Sequence, residues 1–401
     1  MNRRLEKQRY IENLIKSGAL KIKVNDAPRY LTYTNPGIHY DDFDIYNRPD
    51  LIKMMLYAIK AEDIGENAHS FNDGDKMCSF MYWDTLLKDR TFFVGSVQYN
   101  FTRILYARDV PKWPLDVKFS FGGIGSTSLL QKSEFFLVNS QELVMSRLTK
   151  LIAVDRQSRR PVPHPDWYRE KMTGKEVPLD DLIFTGFQRP QKGTFVRKIQ
   201  IVLSDTDRNR HTNFASYVRF GLDTLHLALT LRARRKAAEA KENSLLPNID
   251  SAPDLRTRHP KTNEAKSALN KLSVKSQICE SGSCETSNAS IDSHVAGSKS
   301  FEPLISTVDS ALPRVTTVDS ALPLVATIDS ALPWVTIDIM RNGTKNLKIC
   351  YRKECVEGDF VDVHIWQEKG EELTVRCSVD AVDGSPISQF ILEYFGSLSN
   401  L

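Results

Sequence analysis

The sequence predicts an α+β protein made of two copies of one unit, each a long helix enclosed by a curled antiparallel sheet. Three observations lead there. A helix that is apolar on nearly every side, LIKMMLYAIKAE after Pro49, is followed by several strand-like segments set apart by Gly, Pro and polar clusters. The same order, one long helix and then strands, recurs in the second half. Between that second helix and its strands lies a segment almost without aromatic residues, so the repeat is interrupted rather than absent.

Residues 1–24 form a basic, helix-prone lead. Aromatic, strand-like sequence follows over 31–46, and Pro49 and Asp50 suit the first turn of a helix, where a carboxylate meets the positive end of the dipole. That helix carries Leu51, Ile52, Met54, Met55, Leu56 and Ile59, so other structure must wrap it. Strand signals at 91–106, 115–121, 133–138 and 143–154 complete a first unit, 25–170, and 171–197 reads as a linker.

The second unit, 198–401, opens with a strand at 198–204. Its helix spans 214–231, where Phe214, Tyr217, Val218, Gly221, Leu222, Leu225 and Leu229 share one face. Strands are expected at 347–355, 360–367, 373–379 and 387–394. The insertion, 232–335, is rich in Ser, Lys, Asn, Ala and Pro and is expected to be disordered, because it has too little apolar surface to offset chain entropy. It ends in a ten-residue repeat, TVDSALPRVT, TVDSALPLVA and TIDSALPWVT, from Thr307, Thr317 and Thr327. A replicated linker is the plain reading, and a docking motif presented three times is the sharper one.

Hydrophobic content of 41% and charged content of 26% are ordinary for a globular chain of 401 residues. A net charge of +4 gives no reason to expect nucleic acid, though local basic patches could meet a phosphorylated substrate or carrier. The six cysteines show no paired zinc spacing, and Cys279, Cys284 and His294 make only a weak metal set in the insertion. A reduced compartment follows. With no window near the roughly 20 apolar residues of a membrane span, the expectation is a cytoplasmic protein. A mitochondrial presequence is the alternative, against which Glu6 and Glu12 count.

The chemistry concentrates in DTDRNRHTNFASY, residues 205–217. Asp207, Asn209 and His211 alternate, so an extended approach would project all three to one side. Thr212 and Asn213 then offer N-cap oxygens to the helix that begins at Phe214. The bland reading is local capping, a common role for Asp and Asn. The functional one gathers a carboxylate, an amide and an imidazole at the positive end of a helix, where charge on an acyl oxygen can be stabilised.

This stretch resembles the hotdog-fold thioesterases of the 4-hydroxybenzoyl-CoA thioesterase-like superfamily, and more closely the double-hotdog, plastid-type acyl-ACP thioesterases. Their Asp, Asn-x-His-x-Asn and following Tyr match Asp207, Asn209, His211, Asn213 and Tyr217. A second match, YRKEC at 351–355, is similar to the family's YRREC strand, whose Glu corresponds to Glu354. GIGSTSLLQKSEFF (123–136) and LIAVDRQSRRPVPHP (151–165) are similar to strands that close hotdog units. The chain departs from the plastid enzymes in its insertion, in Phe214 where they carry a second Asn, and in lacking an obvious plastid leader.

What the resemblance implies is a tandem hotdog that hydrolyses acyl-CoA or acyl-ACP thioesters without metal or organic cofactor. Asp207, Asn209, His211 and Glu354 would be catalytic, and Asn213 and Tyr217 would contact substrate. The first unit, which has Asp42, Asp44, Tyr46 and Arg48 in place of the motif, would be non-catalytic. Two fused units imitate a hotdog dimer, so the chain would act as a monomeric pseudo-dimer or pair into a homodimer. The alternative is a non-catalytic hotdog protein that binds acyl chains or serves as a scaffold. Cys355 would be inert, since neighbours on a strand face opposite sides and Glu354 would take the site-facing one.

Overall fold

The computed structural model describes residues 3–44, 48–73, 76–179, 184–207, 210–245 and 322–397. The lead forms helix α1 (Arg3–Lys16), and strands β1 (Ile22–Asp26) and β2 (Arg29–Asn35) pair antiparallel after it in the chain. Helix α2 (Leu51–Asn67) starts just after Pro49 and Asp50 rather than on them: Asp50 is its N-cap, its carboxylate accepting from the Lys53 N–H at 3.0 Å. Strands β3 (His69–Asp73) and β4 (Lys76–Ser79) and helix α3 (Trp83–Leu86) lead to β5 (Arg90–Phe101). Helix α4 (Arg103–Tyr106) follows, then β6 (Leu115–Ile124), β7 (Ser128–Leu137), β8 (Leu143–Asp155) and helix α5 (Asp166–Met172).

The second half repeats the plan. Strand β9 (Phe195–Gln200) precedes helix α6 (Phe214–Leu245), and helices α7 (Leu322–Ala331) and α8 (Ile337–Arg341) precede β10 (Thr344–Tyr351). Strands β11 (Phe360–Trp366), β12 (Thr374–Ala381) and β13 (Pro386–Tyr394) close it.

Eleven strands form one antiparallel sheet in the order β1-β2-β6-β7-β8-β5-β10-β13-β12-β11-β9. Outward from the central β5–β10 pair, the order is the same on both sides: β8, β7, β6, β2 in one direction and β13, β12, β11, β9 in the other. Both central helices lie close against their own half of the sheet, and each uses a glycine to do so. A Cβ on Gly65 would press into the Phe119 ring of β6, and one on Gly221 into Phe390 of β13.

The expected apolar face of the second helix packs inward, with Tyr217, Val218, Leu225 and Leu229 buried. Its length does not match expectation. The helix runs on to Leu245, because RARRKAAEAKE is made of strong helix formers and adds an Arg235–Glu239 pair at 2.6 Å.

At its other end, too, the predicted disordered insertion is ordered. In the third repeat Ile328, Ala331, Leu332 and Val335 are buried, Gln367 Oε1 accepts from the Trp334 and Val335 N–H groups at 3.0 and 2.8 Å, and Arg232 donates to the Leu332 and Val335 carbonyls. Arg232 is therefore a buried clamp. The first repeat, Cys279, Cys284 and His294 lie outside the described residues. Among the described residues, no helix is long and apolar enough to cross a membrane.

Candidate active site

The approach to α6 is a tight turn rather than the extended strand that alternation suggested. The Asp207 N–H donates to the His211 carbonyl at 2.7 Å, and the His211 N–H donates back to Asp207 Oδ1 at 3.3 Å. Arg210, at the bend, takes a left-handed φ of +61°. A buried carboxylate anchors this turn. Asp205 accepts from the Val202 N–H at 3.0 Å and from Arg219, while its carbonyl accepts from the Asn213 N–H at 2.8 Å and the Ser216 hydroxyl at 2.9 Å. Asn213 caps α6, its Oδ1 accepting from the Ala215 N–H at 3.0 Å.

The loop after β10 arrives from the far side. The Thr212 N–H donates to the Cys355 carbonyl at 2.7 Å, and His211 bridges to Val356, so the helix approach and the YRKEC segment are stitched together by backbone. This stitching puts Glu354 Oε1 at 3.5 Å from His211 Nδ1. The other carboxylate oxygen, Oε2, accepts from Arg159 at 2.9 Å. Arg159 comes from the turn after β8, in the first half, where it sits over the Phe93 ring and takes a left-handed φ of +58°.

Around these groups is a cleft of about 660 Å³, walled by Thr91, Phe92, Phe93 and Val94 of β5 on one side and by Asp207, His211, Phe214, Tyr217, Tyr351 and Glu354 on the other. An adjoining cavity of about 1070 Å³ shares Thr91, Phe92, Val94, Asp207 and Phe214 with the cleft and extends along α2.

The sequence-derived candidates thus fall into three groups. His211 and Glu354 meet, and Asp207 lines the same cleft. Asn213 and Tyr217 line the cavity and the cleft but also hold the frame, the first as the helix cap and the second by taking the Cys355 N–H on its hydroxyl at 3.3 Å. Asn209 lies outside the described residues. Cys355 is buried away from the solvent-facing Glu354, and burial pushes its thiol up to about 11.

Neither Arg159 nor Asp205 was among the sequence-derived site residues. The two arginines in QSRRP were a signal, but only the fold shows that the turn reaches the other half. A polar residue two positions before Asp207, at a boundary with a strand, was the only sign of the buried anchor.

The first half carries the same turn. The Asp44 N–H donates to the Arg48 carbonyl at 2.6 Å, the Arg48 N–H to Asp44 Oδ1 at 3.0 Å, and the Asp50 N–H to the Asp42 carbonyl at 2.8 Å. Asp42, Asp44, Arg48 and Asp50 thus match Asp205, Asp207, His211 and Asn213 in spacing and in bonding. At the histidine position stands Arg48, ion-paired to Asp44 at 2.6 Å and donating to the Met340 carbonyl at 2.8 Å.

The fold defined by this sheet and its two central helices is that of the hotdog thioesterases. Among solved structures the chain is similar to the 12:0-ACP thioesterase from Umbellularia californica, with a TM-score of 0.51 and 12% identity over 92% of this chain and 94% of that one. It is also similar to an acyl-ACP thioesterase from Bacteroides thetaiotaomicron, with a TM-score of 0.49 and 9% identity over 91% of this chain and 98% of that one. At such identities the likeness is one of fold. No protein-family model matches the chain, and no curated protein sequence matches it.

Proposed function

We propose that the chain is a tandem-hotdog acyl thioesterase that hydrolyses acyl-CoA or acyl-ACP thioesters to a free acid and a thiol. The two halves of the sheet correspond to hotdog units at 25–170 and 198–401, joined by 171–197. The observation that carries the proposal is the approach of Glu354 to His211, two groups far apart in sequence, at the mouth of a cleft beside the start of α6.

In this reading the thioester carbonyl lies against the first turn of α6. The helix dipole, a first-turn N–H such as that of Phe214, and the Asn209 amide stabilise the oxyanion. Glu354, steadied by Arg159, holds His211 through Nδ1, so Nε2 takes a proton from the attacking water and returns it to the departing thiolate. Asp207 fixes the turn that presents His211. The acyl group extends into the adjoining cavity, and the turn arginines Arg156 and Arg159 flank the path of a phosphorylated carrier.

The test is thiol release from a chain-length series of acyl-CoA and acyl-carrier thioesters. Turnover should be lost in His211→Ala and in Glu354→Gln. Rates at the uncatalysed background throughout the series for the wild-type protein would instead favour a non-catalytic acyl-binding or scaffolding role.

A further inference from the structure

Core-facing positions of a strand roofed by an apolar helix are ordinarily apolar. On β7 they are Leu129, Gln131, Ser133, Phe135 and Leu137, so two consecutive inward positions are polar. On β8, Thr149 stands opposite Gln131 and Arg147 opposite Ser133. All four are buried. Glu62 of α2 answers half of this patch: Ser133 Oγ donates to its Oε1 at 2.6 Å, and Arg147 pairs with its other oxygen. The two charges therefore cancel.

The rest of the patch has no answer among the described residues, and Arg147 Nε is likewise without a hydrogen-bond partner there. Neither the Gln131 amide nitrogen, nor its oxygen, nor the Thr149 hydroxyl has a hydrogen-bond partner among the described residues. Leaving such buried groups unpaired is unfavourable, so a partner from outside the chain is favoured. Gln131, Thr149, Arg147 and Glu62 all line the cavity of about 1070 Å³ that joins the cleft at Asp207 and Phe214.

We propose that Gln131 and Thr149 form a subsite for a neutral oxygen carried on the acyl chain, so that the preferred substrates are hydroxyacyl thioesters rather than unsubstituted ones. This rests on the thioesterase reading of the site. A hydroxyl both donates and accepts, and so satisfies the amide oxygen and nitrogen together. A carboxylate is disfavoured because the buried cation beside the subsite, Arg147, already shares its charge with Glu62.

The test compares kcat/KM for decanoyl-CoA, its hydroxydecanoyl positional isomers and its carboxyl-ended counterpart. In parallel, calorimetry measures binding of the corresponding free acids to the His211→Ala protein, which reads the subsite without turnover. At least one hydroxy isomer should be preferred over decanoyl roughly tenfold in both measurements, the ratio expected for about 1.4 kcal/mol. Gln131→Leu, and independently Thr149→Val, should abolish or reverse that preference while raising kcat/KM for decanoyl-CoA. Hydrolysis of all thioesters with no hydroxy isomer preferred, or with the carboxyl-ended one preferred, overturns the subsite and leaves the thioesterase reading standing. Absence of hydrolysis with hydroxy acids still bound preferentially sinks the thioesterase reading and retains the subsite.

Discussion

The two halves of this molecule make the same turn before the same kind of helix and put different chemistry on it. In the first, Asp44 and Arg48 close the turn and also pair as ions, and Arg48 is used up in binding the Met340 carbonyl. In the second, the backbone bonds repeat, but the side chain at the Arg48 position is His211, which turns to Glu354 instead. The exits from the central strands differ as well. After β5 the chain runs into helix α4 with no carboxylate before Asp109, whereas after β10 it delivers Glu354. Duplicated backbone therefore fixes where a site can be. Two substitutions decide whether it brings an imidazole to a carboxylate.

The largest effect should separate the halves. His211→Ala or Glu354→Gln is expected to lower kcat/KM for an acyl-CoA by roughly a thousandfold, the size typical of removing a general base or the group that orients it. Arg48→Ala should leave kcat/KM within about twofold and act on stability instead, because its ion pair and carbonyl bond are structural. A large activity loss in Arg48→Ala would mean that the first half is not a passive wall.

Next in size is the docked repeat. Leu332→Ala empties a fully buried site and should cost about 2–5 kcal/mol in denaturant unfolding. Arg232→Ala, which leaves two carbonyls unpaired, should cost about 1–3 kcal/mol. Deleting 246–317, in contrast, should leave the melting temperature unchanged. Equal damage from that deletion would show that the excised stretch also packs.

A smaller effect concerns Cys355. With its thiol at about 11, it should resist alkylation at neutral pH, and Cys355→Ala should keep most of the activity. Rapid loss of turnover with alkylation of Cys355 would instead make it a candidate nucleophile.

The smallest is a pH effect in the first half. Burial holds His164 down at about 4, against an unfolded value of about 6.5. Above the unfolded value both states are neutral and stability is full. As pH falls from about 6.5 towards about 4, the unfolded chain takes up the proton and the folded one does not, so stability declines through that window. The urea midpoint of wild type should fall more steeply than that of His164→Phe as pH drops through this window. Parallel curves would remove His164 as the cause.

What the sequence revealed followed physical visibility. The helix from 214, the helix start beside Pro49 and Asp50 and the cores of the four long strands after each helix carry local signals that do not depend on distant residues. The pairing of Glu354 with His211 was reached only through resemblance, since nothing local links them. Three features were hidden for identifiable reasons. The tight turn at Asp207 is set by backbone bonds that alternation cannot report. The continuation of α6 to Leu245 was masked by reading Ala, Lys and Arg as low complexity, although they favour helix. The burial of the third repeat depends on Arg232 and Gln367, residues that no window containing the repeat includes.

The most direct test of the central claim is thiol release from acyl-CoA by wild type and Glu354→Gln at saturating substrate. The account predicts turnover in wild type and a loss of about a thousandfold in the variant, with both proteins equally folded. Equal rates in the two, or background rates in both, would contradict it.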